Sequence, residues 1–267
     1  MTYVETNVRA LKVVRARRLL ESKFRAAQQA FLAEGPQAVR EAINSGLVRE
    51  LFITEDSADR YQDILQSAQL QAVEITLVIP EVIEVLASAV TPQGMVAIVN
   101  SPDSALESVL NSNSKLVVAL ASVRDPGNAG SVIRVADAVA ADGVLTTTDS
   151  VELQNPKVVR STAGSLFHLP CVEGVDLHEA IARARLLGLQ VLAADGSGEP
   201  FDVAADLTKP TLWIFGNEAW GLPQDLLNAV DQVVAIPIYG KAESLNLATA
   251  TAVCLYASAS AQRSTNS

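Results

Sequence analysis

Apolar residues follow two recurring patterns along this chain. Short apolar runs closed by polar or glycine-containing turns read as strands, and segments with apolar residues three and four apart read as helices. Up to residue 100 the elements are short. The pattern predicts a basic helix over 12–29, an apolar segment around Phe31, and a helix over 36–45 with Gly46 as its C-cap. Further on it predicts a strand over 51–54, a helix over 58–68, a strand over 73–79, a short helix opened by Pro80 and a strand over 94–99. Residues 101–114, rich in Ser, Asn and Asp, read as a linker.

From residue 115 the runs lengthen. Residues 116–121 are continuously apolar, as suits a strand buried on both faces. Ala129, Val132, Ile133, Ala136, Val139 and Ala140 recur at helical spacing. Strands are expected over 143–147, 189–194, 211–215 and 233–236, with helices over 177–187 and 246–260. Such strand–helix alternation predicts an α/β fold with a mostly parallel sheet covered on both faces. The chain thus divides into a small α/β domain over 1–100, the linker, and a larger α/β domain over 115–267.

Composition narrows the chemistry. At 49% hydrophobic, 4% aromatic and 19% charged residues, the chain packs an aliphatic core rather than remaining disordered. Two Cys and two His, in no metal-binding spacing, exclude a disulfide scaffold and predict no metal. No apolar secretory segment is seen at the start, and the uncharged stretch 245–262 carries Asn246 and several hydroxyls. It reads as a buried or interface helix rather than a bilayer span, and a cytoplasmic location is expected. The net charge of −10 hides an asymmetry: the first 25 residues carry +5 and the remainder −15. That basic arm, with Arg15, Arg17 and Arg18, suits either a solvated helix face or a polyanion held at one place.

Ligands of parallel sheets bind beyond the carboxyl ends of strands, and three loops there carry polar chemistry. The first runs from Arg124 through Asn128 and Gly130 to Arg134; Asn128 is a candidate helix cap. Arg134 can reach back to the helix N-terminus or pair with Asp137 on the helix surface. The second is Gly216-Asn217-Glu218-Ala219-Trp220-Gly221-Leu222-Pro223, which reads as a tight pocket or a simple turn. The third is residues 236–246, where Ser244 or Asn246 caps the last helix. No glycine fingerprint of dinucleotide or nucleoside-triphosphate sites is present, which disfavours a nicotinamide-dependent oxidoreductase.

In order and spacing, Asn128-x-Gly130-x-x-x-Arg134, Gly216-Asn217-Glu218-x-x-Gly221-Leu222 and Ile236-Pro237 followed by Ser244-Leu245-Asn246 resemble the three signature motifs of the SpoU (TrmH-like) RNA ribose 2′-O-methyltransferases. The segment from Asn155-Pro156-Lys157 to Gly164-Ser165 is also similar to that family. Phe31-Leu32-Ala33-Glu34-Gly35 and Pro92-Gln93-Gly94 resemble its L30e-like substrate-binding domain. Ala140, where members often have Gly, is the one departure.

The resemblance implies an α/β sheet threaded into a trefoil knot, a homodimer, and S-adenosylmethionine bound by Gly216, Ile236, Leu245 and Asn246, with Ala194 as a weaker candidate. Gly216 would leave room for the cofactor, and Ile236 and Leu245 would suit its adenine. Arg134 would be the catalytic residue, positioned with the ribose and phosphate by Asn128, Glu218, Ser244 and Asn246. An arginine is normally too basic to accept a proton, so phosphate binding and hydroxyl activation are its expected roles, with general-base action left open. Lys157 and Arg160 would contact RNA, alongside Arg15, Arg17 and Arg18, unless they are ordinary surface charges. The expected substrate is ribosomal RNA, including methylation that protects against an antibiotic. The alternatives are a transfer-RNA enzyme and a non-catalytic RNA-binding factor of the same fold.

Overall fold

Strands that are apolar at successive positions must be covered on both sides, and the computed structural model, which describes residues 4–264, covers them with helices in two separate units. The first hundred residues form β1 (Val4–Glu5), α1 (Leu11–Arg18), α2 (Ser22–Gln28), β2 (Ala30–Glu34), α3 (Pro36–Asn44), β3 (Val48–Ile53), α4 (Glu55–Arg60), α5 (Gln62–Leu70), β4 (Glu74–Val78), α6 (Pro80–Leu86) and β5 (Met95–Asn100). There follow α7 (Leu106–Val109), β6 (Leu116–Leu120), α8 (Pro126–Ala138), β7 (Gly143–Thr146), α9 (Pro156–Ser161) and β8 (Cys171–Val172). The chain continues with α10 (Leu177–Leu186), β9 (Gln190–Pro200), α11 (Phe201–Ala204), β10 (Thr211–Phe215), α12 (Gln224–Ala229), β11 (Gln232–Ala235) and α13 (Leu247–Ser264).

The first unit is a mixed sheet in the order β1-β4-β3-β5-β2, antiparallel where β5 meets β3 and β2. Phe31 and Ala33 of β2, Leu51 and Ile53 of β3, and Ala97 and Val99 of β5 pack with α3 and α5. The intervening Leu32, Phe52 and Val96 pack with α1 and α6 on the other face. Two helices that look continuous in the pattern are broken. The basic helix stops at Arg18 and restarts at Ser22, because Leu19 turns into the core and Glu21 is extended at ψ 132°. The next is interrupted at Tyr61, which caps α4 at one end and α5 at the other.

Residues 153–168 belong to this first unit, although the sequence reading placed them in the second domain. The cause is apolar. Val159 of α9 is fully buried in the core against β2, and Phe167 stacks on Phe31 with centroids 6.1 Å apart. The reach of the expected linker also changes, since Val109 and Leu110 are fully buried in the second unit, leaving 101–105 as the connection between elements.

The second unit is an all-parallel sheet in the order β11-β9-β10-β6-β7-β8. Val117 and Ala119 of β6, Leu212 and Ile214 of β10, and Val191 and Ala193 of β9 join α7, α10 and α12 in one core. The opposite face meets α8 and α13, where the buried Trp213 indole donates to Ser258 Oγ at 2.9 Å and stacks near Phe215. The ladder between β9 and β11 jumps from Ala193 to Glu199, so residues 194–198 bulge out of register at the carboxyl end of the sheet. Among the described residues no helix is long and apolar enough to cross a membrane.

Ala140 follows α8 with φ +53°, in the left-handed region, and closes the helix by donating its N–H to the Asp137 carbonyl at 2.9 Å. A Cβ is strained there by about 1 kcal/mol or somewhat more. We therefore expect Ala140→Gly to stabilise the second unit by about 1 kcal/mol in urea unfolding followed by Trp213 emission.

Candidate active site

A parallel sheet aligns the carboxyl ends of β6, β9, β10 and β11 at one edge, so the loops that follow them emerge together although they are far apart in sequence. The loop after β6 enters α8 through Asp125, whose carboxylate accepts from the Asn128 backbone N–H at 2.7 Å, with Pro126 at the first helical position. Asp125, not Asn128, is therefore the cap. Proline tolerates that first position because it has no N–H to leave unpaired. The Asn128 side chain is released for a longer reach.

The loop after β10 closes on itself through paired backbone bonds, Asn217 N–H to Gly221 O at 3.1 Å and Gly221 N–H to Asn217 O at 2.8 Å. A Cβ on Gly216 would lie 2.5 Å from the Gly221 carbonyl carbon and oxygen. The space that glycine leaves at 216 is thus taken by the loop's own return, and it is the backbone of Gly216 that remains available to a ligand. Asn217 braces the turn, donating Nδ2 to the Ser122 carbonyl at 2.7 Å and accepting from Ala219 N–H at 2.8 Å.

The loop after β11 ends at Asn246, whose Oδ1 accepts from the Ala248 and Thr249 N–H groups and so caps α13. Ser244 is exposed and is not the cap.

These three loops converge on one atom. Glu218 Oε1 accepts from Asn128 Nδ2 at 2.7 Å, Asn246 Nδ2 at 3.1 Å and the Leu247 N–H at 3.2 Å, and Asn246 Nδ2 also lies 3.0 Å from Asn128 Oδ1. Among the described residues Glu218 Oε2 has no partner, and neither has the exposed Arg134 guanidinium. One turn before Arg134 stands Gly130, so no side chain blocks the lean of the arginine towards the N-terminus of α8. Ala194, Ile236 and Leu245 are half-buried; Leu245 directly precedes Asn246, and Ala194 pairs with Phe215 immediately before Gly216.

A second brace escaped the sequence reading. Ser122 adopts φ +57° directly after β6; its N–H donates to Thr147 Oγ1 at 2.9 Å and its hydroxyl bonds to Asp149. The Ser122 and Thr147 hydroxyls hold the Asp149 carboxyl below its ordinary range, with the nearby Arg124 charge adding to the effect. The run Thr146-Thr147-Thr148-Asp149-Ser150 is the signal available in the sequence, as a cluster of hydroxyls around one carboxylate. Neither cysteine offers a thiolate: burial pushes both Cys171 and Cys254 up to about 12. No group of three or more His, Cys, Asp or Glu able to hold a metal occurs among the described residues.

The basic residues sort differently in the first unit. Lys12 donates to Thr76 at 2.8 Å and Arg25 is buried, donating to the Leu19 and Leu20 carbonyls. Arg15, Arg17 and Arg18 are exposed in the last turn of α1, and Arg17 and Arg18 line a cavity of about 520 Å3. Lys157 is exposed, whereas Arg160 is engaged by the largely buried Glu34 and by Ser88 Oγ at 2.7 Å. Arg160 therefore holds α9 to the end of β2.

Comparison with known proteins matches residues 115–256 to the SpoU rRNA Methylase family and residues 11–97 to the MRM3-like substrate binding domain. The chain is 30% identical over 247 residues to the 23S rRNA (guanosine(2553)-2'-O)-methyltransferase RlmP of Bacillus subtilis, covering 92% of this chain and 94% of that protein. Among solved structures, an AdoMet-bound rRNA methyltransferase from Sinorhizobium meliloti superposes with a TM-score of 0.84 at 29% identity, over 96% of this chain and 97% of the other. The SpoU methyltransferase AviRb from Streptomyces viridochromogenes, in complex with AdoMet, superposes with a TM-score of 0.83 at 27% identity, over 95% and 99%. With its signature loops gathered on Glu218 and more than nine-tenths of its length shared with these proteins, the chain belongs to the SpoU rRNA methylase family.

Proposed function

We propose that this protein transfers the methyl group of S-adenosylmethionine to a ribose 2′-hydroxyl of ribosomal RNA. The observation that carries this reading is the meeting of Asn128, Glu218 and Asn246 at a single carboxylate oxygen, with the exposed Arg134 on the same helix as Asn128. The residues suit the cofactor: half-buried Ile236, Leu245 and Ala194 offer apolar contact to an adenine, and the backbone of Gly216, which stands outside the paired bonds between Asn217 and Gly221, offers polar contact. S-adenosylmethionine supplies an activated methyl on sulfur, and therefore no metal is required.

The chain's own work is alignment and charge. Arg134 pairs with an RNA phosphate and stabilises negative charge growing on the 2′-oxygen. Glu218, with Oε1 fully engaged, keeps Oε2 to accept the ribose hydroxyl proton, released as the O–CH3 bond forms and the S–CH3 bond breaks, and Asn128 and Asn246 fix the direction of that carboxylate. Ser244, exposed two residues before the cap, is available to the RNA or the cofactor.

In this reading the first unit, to which residues 153–168 belong, docks RNA with Arg15, Arg17, Arg18 and Lys157 on phosphates, and the second unit forms the catalytic domain, knotted as in its family. Two copies would pair through α13, an 18-residue helix whose exposed Thr249, Val253, Tyr256 and Ser260 form an uncharged stripe. The site of action would be the cytoplasm, where ribosomal RNA is accessible.

Labelled methyl from S-adenosylmethionine should appear at one ribose of unmodified ribosomal RNA; label confined to transfer RNA would overturn the substrate. Arg134→Ala should lower kcat by about a thousandfold while the Kd for S-adenosylmethionine, read by calorimetry, stays within twofold. Asn246→Asp still caps α13 but replaces the donor to Glu218 with a second carboxylate 3.1 Å from it, so we expect kcat to fall by about a hundredfold and the thermal midpoint to drop as the two like charges repel. Neutralising Arg15, Arg17 and Arg18 together should reduce the salt slope of RNA binding by about three.

A further inference from the structure

Of the two tryptophans, Trp213 is fully buried, while Trp220 is 55% exposed on the loop that carries Glu218. The Arg124 guanidinium lies 5.1 Å from the centroid of the Trp220 ring. Each member of this pair lies close in sequence to one end of the 2.7 Å bond between Asn128 and Glu218: Arg124 four residues before Asn128, Trp220 two after Glu218. The ring is held on a rigid support. Gly216 packs against Gly221, Asn217 and Gly221 exchange backbone bonds, and Asn217 ties the loop to Ser122. Nothing in the proposed chemistry of Arg134, Glu218 and Asn246 needs an indole or a second guanidinium.

We propose that Trp220, braced by Arg124, is a stacking platform for an unpaired nucleobase of the RNA substrate, placed so that the ribose attached to it or next to it faces Glu218. This inference rests on the RNA methyltransferase reading. An exposed indole face takes any base by its π-surface, and a guanidinium beside it adds cation–π contact with the ring and charge for the flanking phosphate. Double-helical RNA hides its base faces, so the platform selects a loop, bulge or otherwise splayed nucleotide. Substrate choice at this point is made by single-strandedness rather than by base identity.

The two tryptophans provide the assay. Exposed Trp220 should emit to the red of buried Trp213, and titration with in vitro transcribed, unmodified ribosomal RNA should quench the red component and spare the blue. Trp220→Ala should raise the KM for that RNA about tenfold or more, with kcat within threefold and the Kd for S-adenosylmethionine unchanged. Trp220→Phe should recover most of the loss, and unchanged Trp213 emission would show that both variants fold. An unaltered KM in Trp220→Ala, or no quenching on RNA binding, would overturn the platform. A weakened cofactor Kd with normal RNA KM would overturn it by assigning the ring to the cofactor, and dissociation of dimers in sedimentation would overturn it by assigning the ring to a subunit contact. Failure of the activity reading is seen separately, as absence of methyl transfer by the wild-type protein to any RNA; the quenching experiment then still decides the platform.

Discussion

One carboxylate oxygen organises this molecule's chemistry. Glu218 Oε1 accepts three N–H groups, from Asn128, Asn246 and Leu247, which lie 90, 28 and 29 residues away along the chain. An anion sharing three donors at 2.7–3.2 Å has its direction fixed. The donors in turn are fixed because each belongs to the first turn of a helix or the residue before it. Asn128 is seated by the Asp125 cap of α8, and Asn246 is itself the cap of α13. The precision of the cluster is therefore inherited from two helix starts, which are rigid, rather than from the loops, which on their own are not.

The sheet is what makes such a convergence possible. Six parallel strands bring every carboxyl end to one edge, and in the order β11-β9-β10-β6-β7-β8 the strands preceding the first two signature loops are adjacent. The third loop starts two strands away from β10 in that order, beyond β9, and must travel from residue 236 to 246 to reach Glu218. Its length has a purpose in this geometry; between it and Glu218, residues 194–198 of β9 leave the β9–β11 ladder, which resumes at Glu199 and Pro200. Trp213, buried beneath α13 and bonded to Ser258, anchors the helix whose cap completes the cluster.

Much of this was legible in the residues. Continuous apolar runs marked β6 and β10, because strands covered on both faces have no polar side to show, and β10 runs over Thr211–Phe215 as the pattern has it. The polar loops gave up their partners through motif spacing, since Asn128, Glu218 and Asn246 meet. What was not legible shares a physical character: it depends on competition between neighbours. Asn128 and Asp125 both suit a cap, and only the demand of Glu218 on Asn128 decides between them. Gly216 reads as open space, but its missing Cβ is answered by Gly221. Arg160 looks like a free cation until the buried Glu34 claims it. The break between α1 and α2 follows from Leu19 finding a core that local periodicity cannot see.

The return of α9 to the first unit bears on the timing of synthesis. The N-terminal sheet lacks Val159 in its core and Phe167 against Phe31 until residue 168 has been made. By then β6, α8 and β7 of the second unit have already been made. The usual schedule, in which an amino-terminal domain finishes before the next begins, does not apply to this chain. Its two units must mature on interleaved timetables, and the first hundred residues produced alone would present an unfilled apolar face to the cell.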